Sequence, residues 1–221
     1  MNTQQYWEHV EAAVMSFAHQ STQQADPAHD YEHLRRVVAC ASRLARQEGA
    51  NLDVVLPAAW LHDCVSVPKN SAMRSQASAM AASAALRFLG TQGYPNELLA
   101  AIGHAIEAHS FSAGIAPRSI EAAVLRDADR LDSLGAIGVA RCLMLSAALG
   151  RRLYDPAEPF PERRPMDDQQ NAIDHFYVKL LKLSDDMLTP AGRAEALSRT
   201  EYMRGFLVQL ASELADLSSS I

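Results

Sequence analysis

Apolar residues recur at helical spacing along almost the whole chain, and no sustained period-two alternation or Asn-Gly hairpin turn marks a strand. Trp7, Val10, Val14 and Phe17, for example, fall on one helical face. The pattern predicts an all-α fold, a compact bundle of about eight helices. The expected helices run over Thr3–Gln20, Asp30–Gln47, from Leu52 to the His62-Asp63 pair, Ser71–Leu89, Leu98–His109, Ile120–Gly150, Asp167–Met187 and Pro190–Leu217. Gly49 stops the second, Pro68 and Asn70 break the chain after the third, and a bend is expected in the sixth near Gly135 or Gly138. Thr189-Pro190 reads as an N-cap followed by proline at the first helical position. Four prolines between Tyr154 and Pro165 exclude a helix there, so that stretch is a candidate lid or binding loop.

A length of 221 residues fits a single domain spanning the chain, with room for a sizeable core. Alanine and leucine are abundant and aromatics few, which favours helices packed closely through small side chains. The formal net charge of −6 gives no basis for broad attachment to nucleic acid or to an anionic membrane. Arg141 interrupts the most apolar stretch, and Glu8 and His9 stand early in the chain, so neither a membrane span nor a signal core is expected. The expectation is a soluble cytoplasmic protein, compatible with assembly as a homo-oligomer. Cys40, Cys64 and Cys142 lie far apart among apolar neighbours and read as buried free thiols. Cys64 follows the His-Asp pair directly, yet no second cysteine offers metal-site spacing, so packing is its expected role.

Four residues carry the chemistry: His33, His62, Asp63 and Asp129, all in segments that read as helix. Asp63 ends the apolar run Leu56-Pro57-Ala58-Ala59-Trp60-Leu61, where a carboxylate is costly to bury without a partner or a metal. Asp129 sits in Arg126-Asp127-Ala128-Asp129-Arg130-Leu131-Asp132, a dense charge cluster in an otherwise apolar helix. Imidazole nitrogen and carboxylate oxygen without thiolate suit a divalent ion such as Mn, Co, Ni, Fe or Mg rather than structural zinc.

This ordered set, with the flanks His29-Asp30-Tyr31-Glu32-His33-Leu34-Arg35-Arg36-Val37, Ala58–Asp63 and Asp127–Gly138, resembles the HD superfamily of metal-dependent phosphohydrolases, in particular its small single-domain bacterial members. His175-Phe176-Tyr177-Val178-Lys179-Leu180 continues the likeness. The resemblance implies that His33, His62, Asp63 and Asp129 hold the metal. It also implies hydrolysis of a phosphate ester or anhydride, with a nucleotide as the substrate class. No P-loop motif accompanies it.

In such a site Asp63 orients or deprotonates the attacking water, and cations stabilise charge developing on the phosphate oxygens. Arg36, Lys69 and Arg130 are the candidate cations, with Asn70 and His104 as further substrate contacts. Pairing with Asp127 or Asp132 is the competing role for Arg130, and hydrogen bonding the competing role for His104. His104 and His109 are five apart, about 140° around a helix, so a second ion bound by both requires α-helical geometry to fail near Ala108. Tyr31, Trp60 and Phe111 are candidates for base stacking, while His175 reads as a hydrogen-bonded support. The competing functions are a metal-containing nucleotide sensor and a di-iron oxygenase, the latter needing a complete second ligand set.

Overall fold

The structure is a computed structural model that describes residues 3–23, 30–67, 71 and 73–218. Among these residues it is all-α, with nine α-helices: α1 Thr3–Ser21, α2 Tyr31–Glu48, α3 Leu52–Leu61, α4 Ala77–Thr91, α5 Asn96–His109, α6 Ile120–Leu131, α7 Gly135–Ala148, α8 Ala172–Val178 and α9 Pro190–Ser218. Two 3-10 segments, Arg74–Gln76 and Leu180–Asp186, and an isolated bridge between Arg152 and Asn171 complete the regular structure. No single described helix is long and apolar enough to cross a membrane. The chain falls into two compact units, Met1–Asp129 with Leu188–Gly192, and Arg130–Met187 with Arg193–Ile221.

In the first unit α3 is the central element, packed on α1, α2 and α5. Its buried residues include Val54, Val55, Ala58, Ala59, Trp60 and Leu61, the all-round apolar character of a core helix. Asn51 caps it by accepting from the Asp53 amide. Pro57 lies inside this helix and removes the amide that the Asp53 carbonyl needs. The Tyr94 hydroxyl replaces it, donating to that carbonyl at 2.6 Å. In α2 the residues Leu34, Val37, Ala41, Leu44 and Ala45 face the core. Asp30 accepts from the His33 amide to start the helix, and Gly49, at φ 71°, ends it in the left-handed conformation.

Asp127 is fully buried and fastens Leu188–Gly192 to this unit, accepting from the Leu188 and Thr189 amides and the Thr189 hydroxyl. The Thr189 hydroxyl accepts in turn from the Gly192 amide, the cap expected for the last helix. A Cβ at Gly192 would come within 2.5 Å of the Asp127 carboxylate, so the turn requires glycine.

Three expected helices differ from their sequence pattern. The fourth enters through the 3-10 turn Arg74–Gln76 and becomes α-helical only at Ala77 rather than Ser71. The Ile120–Gly150 segment is not continuous: α6 stops at Leu131 and α7 restarts at Gly135, whose φ of 69° lies outside the right-handed helical region. Gly138 then packs so tightly on the Ser133 carbonyl that no Cβ fits. The Asp167–Met187 segment resolves into α8 and a 3-10 run, divided at Lys179 where φ is −132°. The proline-rich loop of the second unit is fastened rather than loose. Glu158 accepts from the Glu162 and Arg163 amides, and Arg164 binds the buried Asp174 carboxylate through two 2.6 Å bonds.

Candidate metal centre

The candidate centre lies wholly in the first unit, where four helix ends or turns bring five side chains together. His33 stands one turn into α2 and is 1% exposed. His62 caps the C-terminus of α3 and is fully buried, with Asp63 next in the turn. His109 is the last residue of α5, and Asp129 lies in the final turn of α6. The histidines form a buried floor. The two carboxylates, 29% and 30% exposed, line the side open to solvent.

The donor atoms converge. His33 Nε2 is 3.5 Å from Asp129 Oδ1 and 3.9 Å from Asp63 Oδ2, and His62 Nε2 lies 3.6 Å from Asp63 Oδ2 and 3.9 Å from Asp129 Oδ1. Donors bound to one ion at about 2.0–2.2 Å lie about 3–4.4 Å from one another, so these separations fit a shared cation. Asp63 turns its other oxygen, Oδ1, toward His109 Nε2 at 3.7 Å. The result is two overlapping triads of ligand atoms, His33–His62–Asp129 and His62–Asp63–His109, each within 4.8 Å.

The tautomers favour metal binding. His62 Nδ1 is 2.8 Å from the Ala59 carbonyl and donates to it, which leaves the Nε2 lone pair directed into the cluster. That Nε2 is buried with no hydrogen-bond partner among the described residues, a condition that costs about 1–3 kcal/mol unless a cation meets the lone pair. His109 is held the same way, Nδ1 against the Ile106 carbonyl. Burial lowers the His62 pKa, more than the raising effect of Asp63 offsets, so its neutral, ligating form is favoured. Burial alone would likewise lower that of His109, but the Asp63 bond and the charges of Asp63 and Asp129 carry it upward. Burial would raise the Asp129 pKa, yet the three histidines hold it below the usual carboxylate range. A buried imidazole lone pair and acidic carboxylates, with no thiolate in the cluster, suit a divalent ion.

The other sequence candidates are placed differently. Arg36 is half-buried, one turn after His33 on α2. Lys69 and Asn70 lie outside the described residues. His104 is not in the cluster; its Nε2 accepts from the Arg118 amide at 2.9 Å. Arg130 donates to the Asp186 carbonyl, and Asp132 is bound by Arg141 at 2.6 Å. Trp60 is 5% exposed and stacks on Tyr31, whereas Phe111 is 75% exposed. His175 Nδ1 pairs with Asp168 at 2.8 Å, the supporting bond expected of it. The Cys64 thiol is buried and pushed up to about 12, chiefly by desolvation, as befits a packed thiol.

His109 is the member that sequence reasoning missed. Its signal was present: Ile102, Ile106 and His109 continue one buried stripe of α5 at i, i+4 and i+7. Requiring His104 and His109 to act together concealed it, because only one of them lies on the inner face.

The HD-domain family profile matches residues 30–134, an interval that contains all five residues of the cluster. Over 195 residues the chain is 31% identical to YpgQ of Bacillus subtilis, covering 86% of this chain and 87% of YpgQ. The chain belongs to the HD-domain family. HD-domain structures share its fold across nearly the full length. The crystal structure of Bacillus subtilis YpgQ in complex with ADP is 30% identical, covers 96% of this chain and 97% of its own, and superposes with a TM-score of 0.73. An HD-superfamily hydrolase from Bacillus thuringiensis is 32% identical, with coverage of 95% and 98% and a TM-score of 0.73. This HD chain thus has the fold of HD-superfamily hydrolases, and its His and Asp groups could hold the divalent metal typical of HD domains.

Proposed function

We propose that this HD-domain protein is a metal-dependent phosphohydrolase that cleaves a nucleotide, or a related phosphate ester or anhydride. The observation that carries the reading is the buried His62 Nε2, fixed by its tautomer toward Asp63 and Asp129 and without a hydrogen-bond partner among the described residues. A nitrogen held in this way suits a metal ligand better than a packing residue. His33, His62, Asp63 and Asp129 are the proposed ligands. A divalent ion there supplies Lewis acidity toward a phosphoryl oxygen and acidifies water.

The side chains do the rest. The histidine floor excludes solvent beneath the site, while the carboxylate side admits substrate. Asp63, partly exposed, orients the attacking water. His109 faces Asp63 Oδ1 and keeps that carboxylate from turning away from His62. Arg36 and Lys69 are the proposed phosphate contacts, with Asn70 beside Lys69. The nucleotide class is supported by the ADP complex of YpgQ, a relative that covers nearly this whole chain.

The test is metal analysis of the purified protein joined to a panel of mono-, tri- and cyclic nucleotides with Mn, Co, Ni, Fe and Mg. Phosphate or pyrophosphate release that depends on metal is expected from at least one nucleotide. Lys69→Ala should lower turnover a hundredfold to a thousandfold, the usual effect of losing one transition-state contact, with metal content unchanged. Stoichiometric metal and nucleotide binding without turnover would instead make the protein a nucleotide sensor.

A further inference from the structure

Helix α9 carries a surface pattern in the second unit that the metal centre does not use. Ala194, Leu197, Glu201, Arg204, Val208 and Ala211 follow one another at intervals of three and four residues, the spacing of a helix-pairing seam. Leu197 is 56% exposed and Val208 69% exposed. Arg204, Leu207, Val208 and Ala211 form the α9 wall of a groove of about 550 Å³, faced by Phe160, Tyr177 and Leu181. Glu201 and Arg204 are exposed, and neither has an ion-pair partner among the described residues.

The stripe is complementary to itself in one direction only. If α9 meets a second α9 antiparallel, about a two-fold axis between Tyr202 and Met203, Glu201 faces the partner's Arg204. Leu197 then faces the partner's Val208, and Ala194 faces the partner's Ala211. Arg204, Val208 and Ala211 of the groove wall thereby each receive a residue of suitable chemistry: acid on base, large apolar on apolar, small on small. A parallel pairing in register would instead set Glu201 against Glu201 and Arg204 against Arg204. Gly205 beside the stripe supports close approach. It stands mid-helix and exposed, with open space where its Cβ would be, although glycine there costs about 1 kcal/mol relative to alanine. No contact among the described residues accounts for that cost, whereas an approaching helix does.

We propose that this face is a homodimer interface, in which α9 pairs antiparallel with α9 of a second copy through two Glu201–Arg204 ion pairs and two Leu197–Val208 contacts. The chain's net charge of −6 opposes association in general, so the two ion pairs select this orientation among others. Sedimentation equilibrium, or light scattering on a sizing column, of the full chain tests it. A dimer is expected for the unaltered protein. Glu201→Arg alone and Arg204→Glu alone each place two like-charge contacts in the seam and should weaken the dimer by about a hundredfold or more. The double variant restores opposite charges and should restore the dimer, while circular dichroism confirms that all three variants remain helical. A monomeric unaltered protein overturns the proposal. So does a dimer indifferent to either single reversal, and so does a folded double variant that stays monomeric.

Discussion

The Tyr94 hydroxyl donates to the backbone carbonyl of Asp53 at 2.6 Å, taking the place of the amide that Pro57 cannot supply inside α3. The bond matters because α3 positions His62 and Asp63 at its end. Tyr94 is 2% exposed and burial raises its pKa, so it stays a neutral donor throughout the physiological range. Tyr94→Phe leaves a buried carbonyl without a donor and should cost about 1–3 kcal/mol. Urea unfolding measures this, and an unchanged midpoint would show that water or a backbone shift satisfies the carbonyl.

Asp63→Ala removes the carboxylate that faces all three histidines of the cluster, His33 and His62 through Oδ2 and His109 through Oδ1. The expected outcome is loss of most bound metal, and of metal-dependent turnover, with helical circular dichroism retained because the core of α3 is untouched. Elemental analysis after gel filtration supplies the reading. Metal retained at the level of the unaltered protein would exclude Asp63 as a ligand.

His109→Ala distinguishes a working member of the cluster from a neighbour. Whether His109 binds the ion or braces Asp63 from outside, its loss should weaken metal affinity about tenfold to a hundredfold. Competition against a fluorescent chelator measures the affinity directly. Equal affinities in variant and parent would reduce His109 to a packing residue.

Much of this architecture was legible because it rests on local rules. Thr189 announced the last helix as its cap, and Gly49 announced the stop of α2. Helical periodicity identified the core stripes without reference to distant residues. What escaped depends on partners far along the chain. Nothing near Pro57 indicates that Tyr94 will rescue its helix, and nothing near Asp127 indicates that residues 188 and 189 will return to it rather than Arg130. The break before α7 was half visible, since Gly135 marked the place but not its positive φ. At the candidate centre the sequence placed His33, His62, Asp63 and Asp129 in order, yet whether His104 or His109 joined them depended on which face of α5 turned inward. The apolar stripe of α5 held that answer.

The proline-rich loop offers a prediction with a pH signature. Burial alone would raise the Asp174 pKa, but the two bonds from Arg164 and the Asp167 amide more than offset it and hold the carboxyl below its usual value. A carboxyl whose folded pKa is depressed adds stability above its unfolded pKa of about 3.9. That stability is lost as pH falls through the depressed folded value. The second unit should therefore weaken in this acid window, and Asp174→Asn should flatten the corresponding part of the stability curve. At neutral pH the same substitution leaves Arg164 facing a neutral amide and should cost about 3–5 kcal/mol, as broken buried ion pairs do. Thermal unfolding of parent and variant between neutral and acid pH checks both statements. Parallel curves across that range would mean that the Arg164–Asp174 pair does not hold the loop.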